Sequence, residues 1–234
     1  MKDLFGQALL DYQNGNYTED IITSTNISSE DTLPIAYLFR SFQDMPKLEQ
    51  KALKLAQGKV LDVGCGAGSH SLYLQETGLS VKAIDISEGA ITVCKKRGIS
   101  NTEIKDILNE VDTFDTILLL MNGTGIFQEL LQVSNYLNHL KSLLNPNGQI
   151  LIDSSDIKYM YEAEDGGLWI DMNTNYYGEL DYFLSYKGEK EKPLKWLYLD
   201  FNTLLTACHS VGLQCDLISE GEHYDYLAKL SLKD

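Results

Sequence analysis

The sequence has few cysteines, and none of them lies in a pattern that builds a metal site or a disulfide framework. Its four cysteines are Cys65, Cys94, Cys208 and Cys215, and no two of them form a CxxC pair. Such pairs mark structural zinc sites and redox motifs. We therefore expect reduced, mostly buried thiols in a cytoplasmic protein. No other group of side chains has metal-ligand spacing, so we predict no metal.

Long apolar runs and clusters of basic residues are also missing. The N-terminus lacks the basic and apolar segments of a signal peptide, and no apolar run approaches the length of a membrane span. Acidic residues outnumber basic ones by 34 to 19, which gives a net charge of −15. Because binding to a phosphate backbone needs clustered Lys and Arg, this charge disfavours a nucleic-acid partner. The pattern also predicts no association with a membrane.

The middle of the chain contains short apolar segments that alternate with helical ones. This alternation is typical of crossover units and therefore predicts an α/β fold with a parallel sheet. Residues 117–121 are apolar throughout, as expected of a parallel strand that is covered on both faces. The predicted strands are 60–63, 81–85, 102–104, 114–121 and 149–153.

The two flanking regions differ from this middle part. We predict a helical N-terminal cap over residues 1–55, and a main domain over residues 56–234. Within that domain, residues 157–200 are rich in Tyr and Trp and predict an antiparallel insertion. Its strands are expected at 168–172, 179–186 and 194–199, and a terminal hairpin at 214–218 and 226–232. The aromatic residues would either cover an active site or only pack the added sheet.

A glycine-rich turn follows the first predicted strand of the middle region. Gly64, Gly66 and Gly68 alternate with other residues, and the next position is Ser69. Glycine permits positive φ and leaves no Cβ in the way, so a ligand can lie against backbone there. The pattern is GxGxG and not the GxGxxG of dinucleotide-binding proteins. Asp85 ends the next strand, at the expected distance for a carboxylate that accepts from ribose hydroxyls.

Asp106 follows the third strand of the middle region, where its carboxylate would accept from an adenine amino group. Ile86 and Ile107 are expected to sandwich the adenine ring. Asp85 has a second interpretation, because a carboxylate at this position would also cap the following helix. Asp62 has a structural interpretation as well, in which its carboxylate binds backbone amides at the end of its strand.

At these residues the chain resembles the class I S-adenosylmethionine-dependent methyltransferases. The resemblance is carried by LDVGCGAG at 61–68 and AIDIS at 83–87, and it extends over about residues 35–155. It implies a Rossmann-like fold, with a seven-stranded, mostly parallel sheet whose last strand is antiparallel. It further implies that the glycines contact the methionine and ribose portions of the donor and that Asp62 orients the methionine amino group. The predicted cofactor-binding set is Tyr37, Arg40, Asp62, Gly64, Cys65, Gly66, Gly68, Asp85, Ile86, Asp106, Ile107 and Met121.

Catalytic residues are harder to predict, because methyl transfer from a sulfonium mainly needs proximity and alignment. Asn122 and Asp156 are candidates, since both follow strands at the carboxyl edge of the sheet, where open sheets bind ligands. Each has a structural alternative: Asn122 as a loop cap and Asp156 as a helix cap. Arg40 would pair with the methionine carboxylate, with help from Tyr37, or else be solvated on its helix.

The predicted function is a methyltransferase that acts on a small molecule. Three alternatives remain: a protein that binds S-adenosylmethionine without turnover, a protein or RNA methyltransferase, and a nicotinamide-dependent oxidoreductase. The acidic charge argues against RNA, and Ser69 argues against the nicotinamide enzyme. The acceptor and the oligomeric state are left open.

Overall fold

The computed structural model describes residues 2–162 and 175–233 of the chain. In chain order, its strands are β1 (Ile21–Thr25), β2 (Asp31–Leu33), β3 (Lys59–Val63), β4 (Ser80–Asp85), β5 (Thr102–Ile104), β6 (Phe114–Leu119), β7 (Leu144–Ser155), β8 (Glu179–Tyr186), β9 (Glu189–Lys190), β10 (Leu194–Leu197), β11 (Leu213–Glu220) and β12 (Asp225–Leu232). Its α-helices are α1 (Leu4–Gln13), α2 (Ile35–Leu38), α3 (Lys47–Leu55), α4 (Ser69–Glu76), α5 (Glu88–Lys96), α6 (Val133–Ser142) and α7 (Phe201–Ser210).

Seven strands form the main sheet, in the order β11-β12-β7-β6-β3-β4-β5. The strands from β7 to β5 are parallel to one another, whereas β12 runs antiparallel to both β7 and β11. The predicted α/β fold, with a mostly parallel seven-stranded sheet and an antiparallel last strand, is therefore confirmed. The reversal arises because β11 and β12 form a hairpin, which needs only a short connection.

Helices cover both faces of this sheet, which explains why its central strands are apolar throughout. Leu118 and Leu151 pack under α3 and α4, whereas their neighbours Ile117 and Ile150 pack under α6 and α7 on the opposite face. Successive residues of a strand point to opposite faces, so both faces require apolar side chains. In the described ranges no helix is both long and apolar enough to cross a bilayer.

The N-terminal segment differs from the prediction of a helical cap. Residues 21–33 form β1 and β2, and β1 pairs with β8 of the aromatic-rich insertion. Together with β9 and β10, they build a second, antiparallel sheet in the order β10-β8-β1-β2. Four of the five residues of Ile21–Thr25 are β-branched, which is a local signal for a strand, but the partner strand lies about 160 residues away. The predicted strand 168–172 lies outside the described residues, and the division of the chain at residue 55 stays a prediction.

The helix α1 lies against α5, beside the carboxyl edge of the main sheet. Asp3 caps α1 by accepting from the Gly6 backbone N–H at 2.9 Å, and it also accepts from the Gly89 N–H at 2.9 Å. The two helices meet at glycine: a Cβ at Gly89 would lie 2.5 Å from backbone carbons of Gly6. Their approach therefore depends on the absence of a side chain at Gly89.

We predict that Gly89→Ala destabilises the protein by about 1–3 kcal/mol, because the overlap is with backbone that cannot move aside. Helix propensity alone predicts that this substitution increases stability, since alanine in a helix is favoured over glycine by about 1 kcal/mol. Chemical denaturation measures the free energy of unfolding. Lys95→Ala, at an exposed position of the same helix, is the control and should change it little. A stabilised Gly89→Ala variant would contradict the packing.

Candidate active site

The turn between β3 and α4 has left-handed backbone at each of its glycines. The φ angles are +69° at Gly64, +52° at Gly66 and +81° at Gly68. Other residues rarely adopt such angles, so the glycine pattern is required by the backbone itself. A Cβ at Gly66 would meet only the Phe5 ring, at 3.7 Å, whereas one at Gly68 would overlap Ile99. Gly66 thus faces the half-buried space between the turn and Phe5, here called the cleft, and Gly68 faces the interior.

Asp85 anchors this turn from the end of β4. Its carboxylate accepts from the backbone N–H groups of Gly66 and Ser87, both at 2.9 Å. Burial raises the pKa of Asp85, although the two backbone donors act in the opposite direction. The cap of α5 is Ser87, whose hydroxyl accepts from the Ala90 N–H at 3.0 Å. Asp85 therefore is not the helix cap, and its buried carboxylate holds the turn through two backbone N–H groups.

Two further residues of the turn region are buried beneath it. Asp62 accepts from the Ser71 hydroxyl at 2.6 Å, and burial raises the pKa of its carboxyl group. The Cys65 thiol lies 3.6 Å from the thiol of Cys94. Because the Cys65 side chain points into the protein, this residue offers the cleft mainly its backbone.

Arg40 is buried and not solvated, with 8% of its surface exposed. Its guanidinium lies over the Tyr37 ring at 4.0 Å and donates to the carboxylate of Glu49. Glu49 also contacts the His70 Nε2 at 2.7 Å. Burial acts to raise the pKa of Glu49, but His70 and Arg40 together lower it. Among the described residues, the Arg40 Nε is buried without a hydrogen-bond partner.

The loop after β6 is held by a carboxylate of the neighbouring strand. Met121 and Asn122 have left-handed backbone, with φ of +65° and +61°. The carboxylate of Asp153, on β7, accepts from the N–H groups of Met121 at 3.0 Å and Gly123 at 2.9 Å. These contacts fix the loop at the carboxyl edge, next to the strand that precedes the glycine turn.

Comparison with known proteins identifies the architecture. A methyltransferase-domain family model matches residues 54–196. An S-adenosylmethionine-dependent methyltransferase from Bacteroides fragilis, whose crystal structure contains S-adenosyl-L-homocysteine, is 41% identical over all of this chain and 96% of its own, with a TM-score of 0.93. The chain belongs to the S-adenosylmethionine-dependent methyltransferases.

More distant relatives of this methyltransferase are similar only in part. The mitochondrial ubiquinone biosynthesis O-methyltransferase of Schizosaccharomyces pombe is 29% identical over 106 residues, which are 41% of this chain and 37% of the relative. A cypemycin N-terminal methyltransferase from a Streptomyces species is 28% identical over 103 residues, or 42% of each chain. The chain thus spans less than half the length of these curated relatives, one of which is named for O-methylation and the other for methylation of an N-terminus.

The two isoleucines that were predicted to sandwich the adenine ring differ in exposure: one lies on the surface of the methyltransferase and the other in its core. Ile86 is 72% exposed beside the glycine turn, whereas Ile107 is 3% exposed and packs in the core. The backbone carbonyl of Ile107 accepts from His139 at 2.8 Å. Asp106 is exposed and accepts from the Leu108 N–H at 2.9 Å. The side chain of Ile107 therefore does not reach the cleft, which leaves Ile86 as the apolar side chain at that position.

The two catalytic candidates take up structural positions in the methyltransferase. The Asn122 amide accepts from the Ser154 hydroxyl at 2.9 Å and donates to the Leu197 carbonyl at 3.3 Å, so it joins the loop to β10. Asp156 accepts from the Lys158 N–H at 3.0 Å and from the Tyr177 hydroxyl at 2.8 Å. Asp156 thus caps the turn that follows it, as its structural alternative predicts, whereas the Asn122 side chain makes no cap and is held by contacts with β7 and β10.

Three residues of this region were missed by sequence reasoning. Glu49 and His70 lie 21 positions apart, so nothing local indicates their contact. Asp153 had a usable signal, because it lies near the carboxyl end of a predicted parallel strand, where ligands bind. In the part of the chain that the structure describes, no three His, Cys, Asp or Glu residues are placed to hold a metal ion.

Asp153 should make the stability of the methyltransferase depend on pH. Burial raises its pKa from 3.8 to about 6, so between these values the folded chain holds a proton that the unfolded chain has released. Stability should therefore fall as pH rises from about 4 to about 6, and stay lower above it. We predict that Asp153→Asn removes this fall, worth about 1–3 kcal/mol.

The measurement is the free energy of unfolding of both proteins, obtained by denaturant titration at several pH values. Glu222→Gln, which removes one exposed carboxylate, controls for the change in net charge. If the wild type and Asp153→Asn gave parallel curves, the raised pKa of Asp153 would be wrong.

Proposed function

We propose that the chain transfers a methyl group from S-adenosylmethionine to a small-molecule acceptor, in the cytoplasm. The observation that carries this proposal is the left-handed glycine turn, in which Gly64 is exposed and the Gly66 N–H is held by the Asp85 carboxylate. A ligand with a ribose fits this combination, because it can lie on bare backbone and donate its hydroxyls to Asp85. The Bacteroides fragilis relative supports the choice of ligand.

We infer a set of donor-binding residues at the glycine turn and at the ends of the neighbouring strands. Asp85 would accept from the ribose, Asp106 would accept from the adenine amino group, and Ile86 would cover the ring. Arg40 fits the methionine carboxylate, since its buried Nε lacks a partner and its guanidinium is fixed by Tyr37 and Glu49. Asp62, Gly64, Cys65 and Met121 complete the proposed set. Gly68 supports packing instead, since its Cα faces Ile99 and Cys94.

When bound, the donor supplies an electrophilic methyl group on a sulfonium, so the protein needs to align the acceptor and exclude water. The second sheet is suited to this, because Trp196 of β10 packs directly on Gly125 of the loop after β6. Aromatic side chains thereby reach the carboxyl edge, where they would both pack and cover the site. A covered site favours a small acceptor, and the net charge of −15 disfavours nucleic acid.

Calorimetry with S-adenosylhomocysteine, S-adenosylmethionine and NAD tests this proposal. We predict that the first two bind and NAD does not. Asp85→Asn should weaken binding of S-adenosylhomocysteine about 10- to 100-fold, because one charge-assisted hydrogen bond is lost.

The control is Glu222→Gln, an equal change of charge in the exposed turn of the terminal hairpin, which should bind like the wild type. Equal binding by Asp85→Asn, with its fold intact by circular dichroism, would remove Asp85 from the proposed site. Tighter binding of NAD than of S-adenosylmethionine would overturn the function.

A further inference from the structure

Helix α1 brings an aromatic side chain to the glycine turn. A Cβ at Gly66 would lie 3.7 Å from the Phe5 ring, and Phe5 itself is half-buried. Heavy atoms at this separation are in van der Waals contact. A ligand that lies on the Gly66 backbone therefore also comes within contact distance of the ring, which forms the side of the cleft that faces the turn.

Asp3 fixes the start of α1 to the start of α5. One of its oxygens accepts from the Gly6 N–H at 2.9 Å, and the other accepts from the Gly89 N–H at 2.9 Å. The Ser87 hydroxyl donates to the same carboxylate at 2.8 Å. One side chain thus satisfies backbone N–H groups of two helices, and the N-termini of both favour its negative charge. Phe5 lies in the first turn of α1, so this contact sets the position of its ring.

The contact between Asp3 and Ser87 continues to the carboxylate that holds the glycine turn. The Ser87 backbone N–H donates to Asp85 at 2.9 Å, and the Gly66 N–H donates to the second oxygen of Asp85 at 2.9 Å. Asp3, Ser87 and Asp85 therefore form one hydrogen-bonded path from α1 to the turn. Ala67 of the turn also packs in the same apolar cluster as residues of α1. Hydrogen bonds and packing thus place the helix at the same position.

We propose that α1 is the outer wall of the donor site: Phe5 contacts bound S-adenosylmethionine, and Asp3 is the positioning residue that holds the ring there. The inference rests on the proposed function, because it adds residues to the same donor site. An aromatic ring offers a large and rigid apolar surface to a ligand. Phe5 covers the ribose and methionine portions on the glycine turn, whereas Ile86 covers the adenine. Since the ring lies over the ligand, it slows the release of the donor.

Binding of S-adenosylhomocysteine tests the contact with Phe5. Calorimetry measures the affinity, and surface plasmon resonance measures the dissociation rate. Phe5→Ala should weaken binding about 5- to 20-fold, mainly through faster dissociation, because the ligand loses its cover. Phe5→Leu retains an apolar side chain and should recover part of the loss. The control is Leu10→Ala, an apolar truncation in the same helix and the same core cluster, which should leave the affinity unchanged.

Two substitutions of Asp3 separate positioning from helix stability. Asp3→Ser keeps an oxygen that can cap α1 through the Gly6 N–H, because serine is a favoured cap. It presents one oxygen in place of two, so it loses the contact with Gly89. Asp3→Ala loses both contacts. We expect dissociation to be about three- to tenfold faster in both variants. If Asp3→Ser released the ligand as slowly as the wild type, Asp3 would be only a helix cap, and its positioning role would be wrong.

Fluorine NMR detects the contact directly. With para-fluorophenylalanine in place of Phe5 alone, the fluorine signal should shift when S-adenosylhomocysteine binds. The same label in place of Phe183, which lies on the second sheet, should give an unchanged signal. An unshifted signal at Phe5 in a protein that binds the ligand, or wild-type affinity and dissociation in Phe5→Ala, would overturn the inference and leave the proposed function intact. If S-adenosylhomocysteine failed to bind the wild type, the proposed function would fall, and the role of α1 with it.

Discussion

The left-handed turn between β3 and α4 is the constraint on which the rest of the site depends. Gly64 and Gly66 have φ angles that side chains oppose, and the Asp85 carboxylate holds the Gly66 N–H from the next strand. This contact joins the ends of two parallel strands, so the glycine backbone and the carboxylate proposed to bind the ribose are positioned together. Gly68 serves the same turn from below, because its missing side chain admits Ile99 and Cys94.

The second constraint is the packing of the N-terminal segment beside the glycine turn. Arg40 and Glu49 are both buried, and a buried pair by itself adds little stability because two charges lose their water. Its effect is positional: with His70 on α4, the pair fixes α2 and α3 beside the glycine turn. The pairing of β1 with β8 joins the same segment to the insertion. Segments distant in sequence therefore form one wall of the site.

The carboxyl edge of the sheet then divides into two parts of different chemistry. On the side of β4, backbone and the Asp85 carboxylate suit a nucleoside. On the side of β7, Asp153 holds the loop after β6 through two backbone donors and still retains acceptor positions. Asn122 and Asp156 are neighbours of this region, but their side chains are engaged with the scaffold. Sequence position alone did not show which of these carboxylate and amide side chains are engaged with the scaffold. Their hydrogen bonds in the structure show it.

The amino-acid sequence by itself determined the parallel sheet, the glycine turn and the family. Each depends on local rules: apolar runs for doubly covered strands, glycine for positive φ, and a carboxylate at a fixed distance along the chain. Only the tertiary structure decided that residues 21–33 contain two strands, that Ile107 points into the core, and that Glu49 contacts His70. These features depend on contacts between distant segments, for which neither periodicity nor spacing carries a signal.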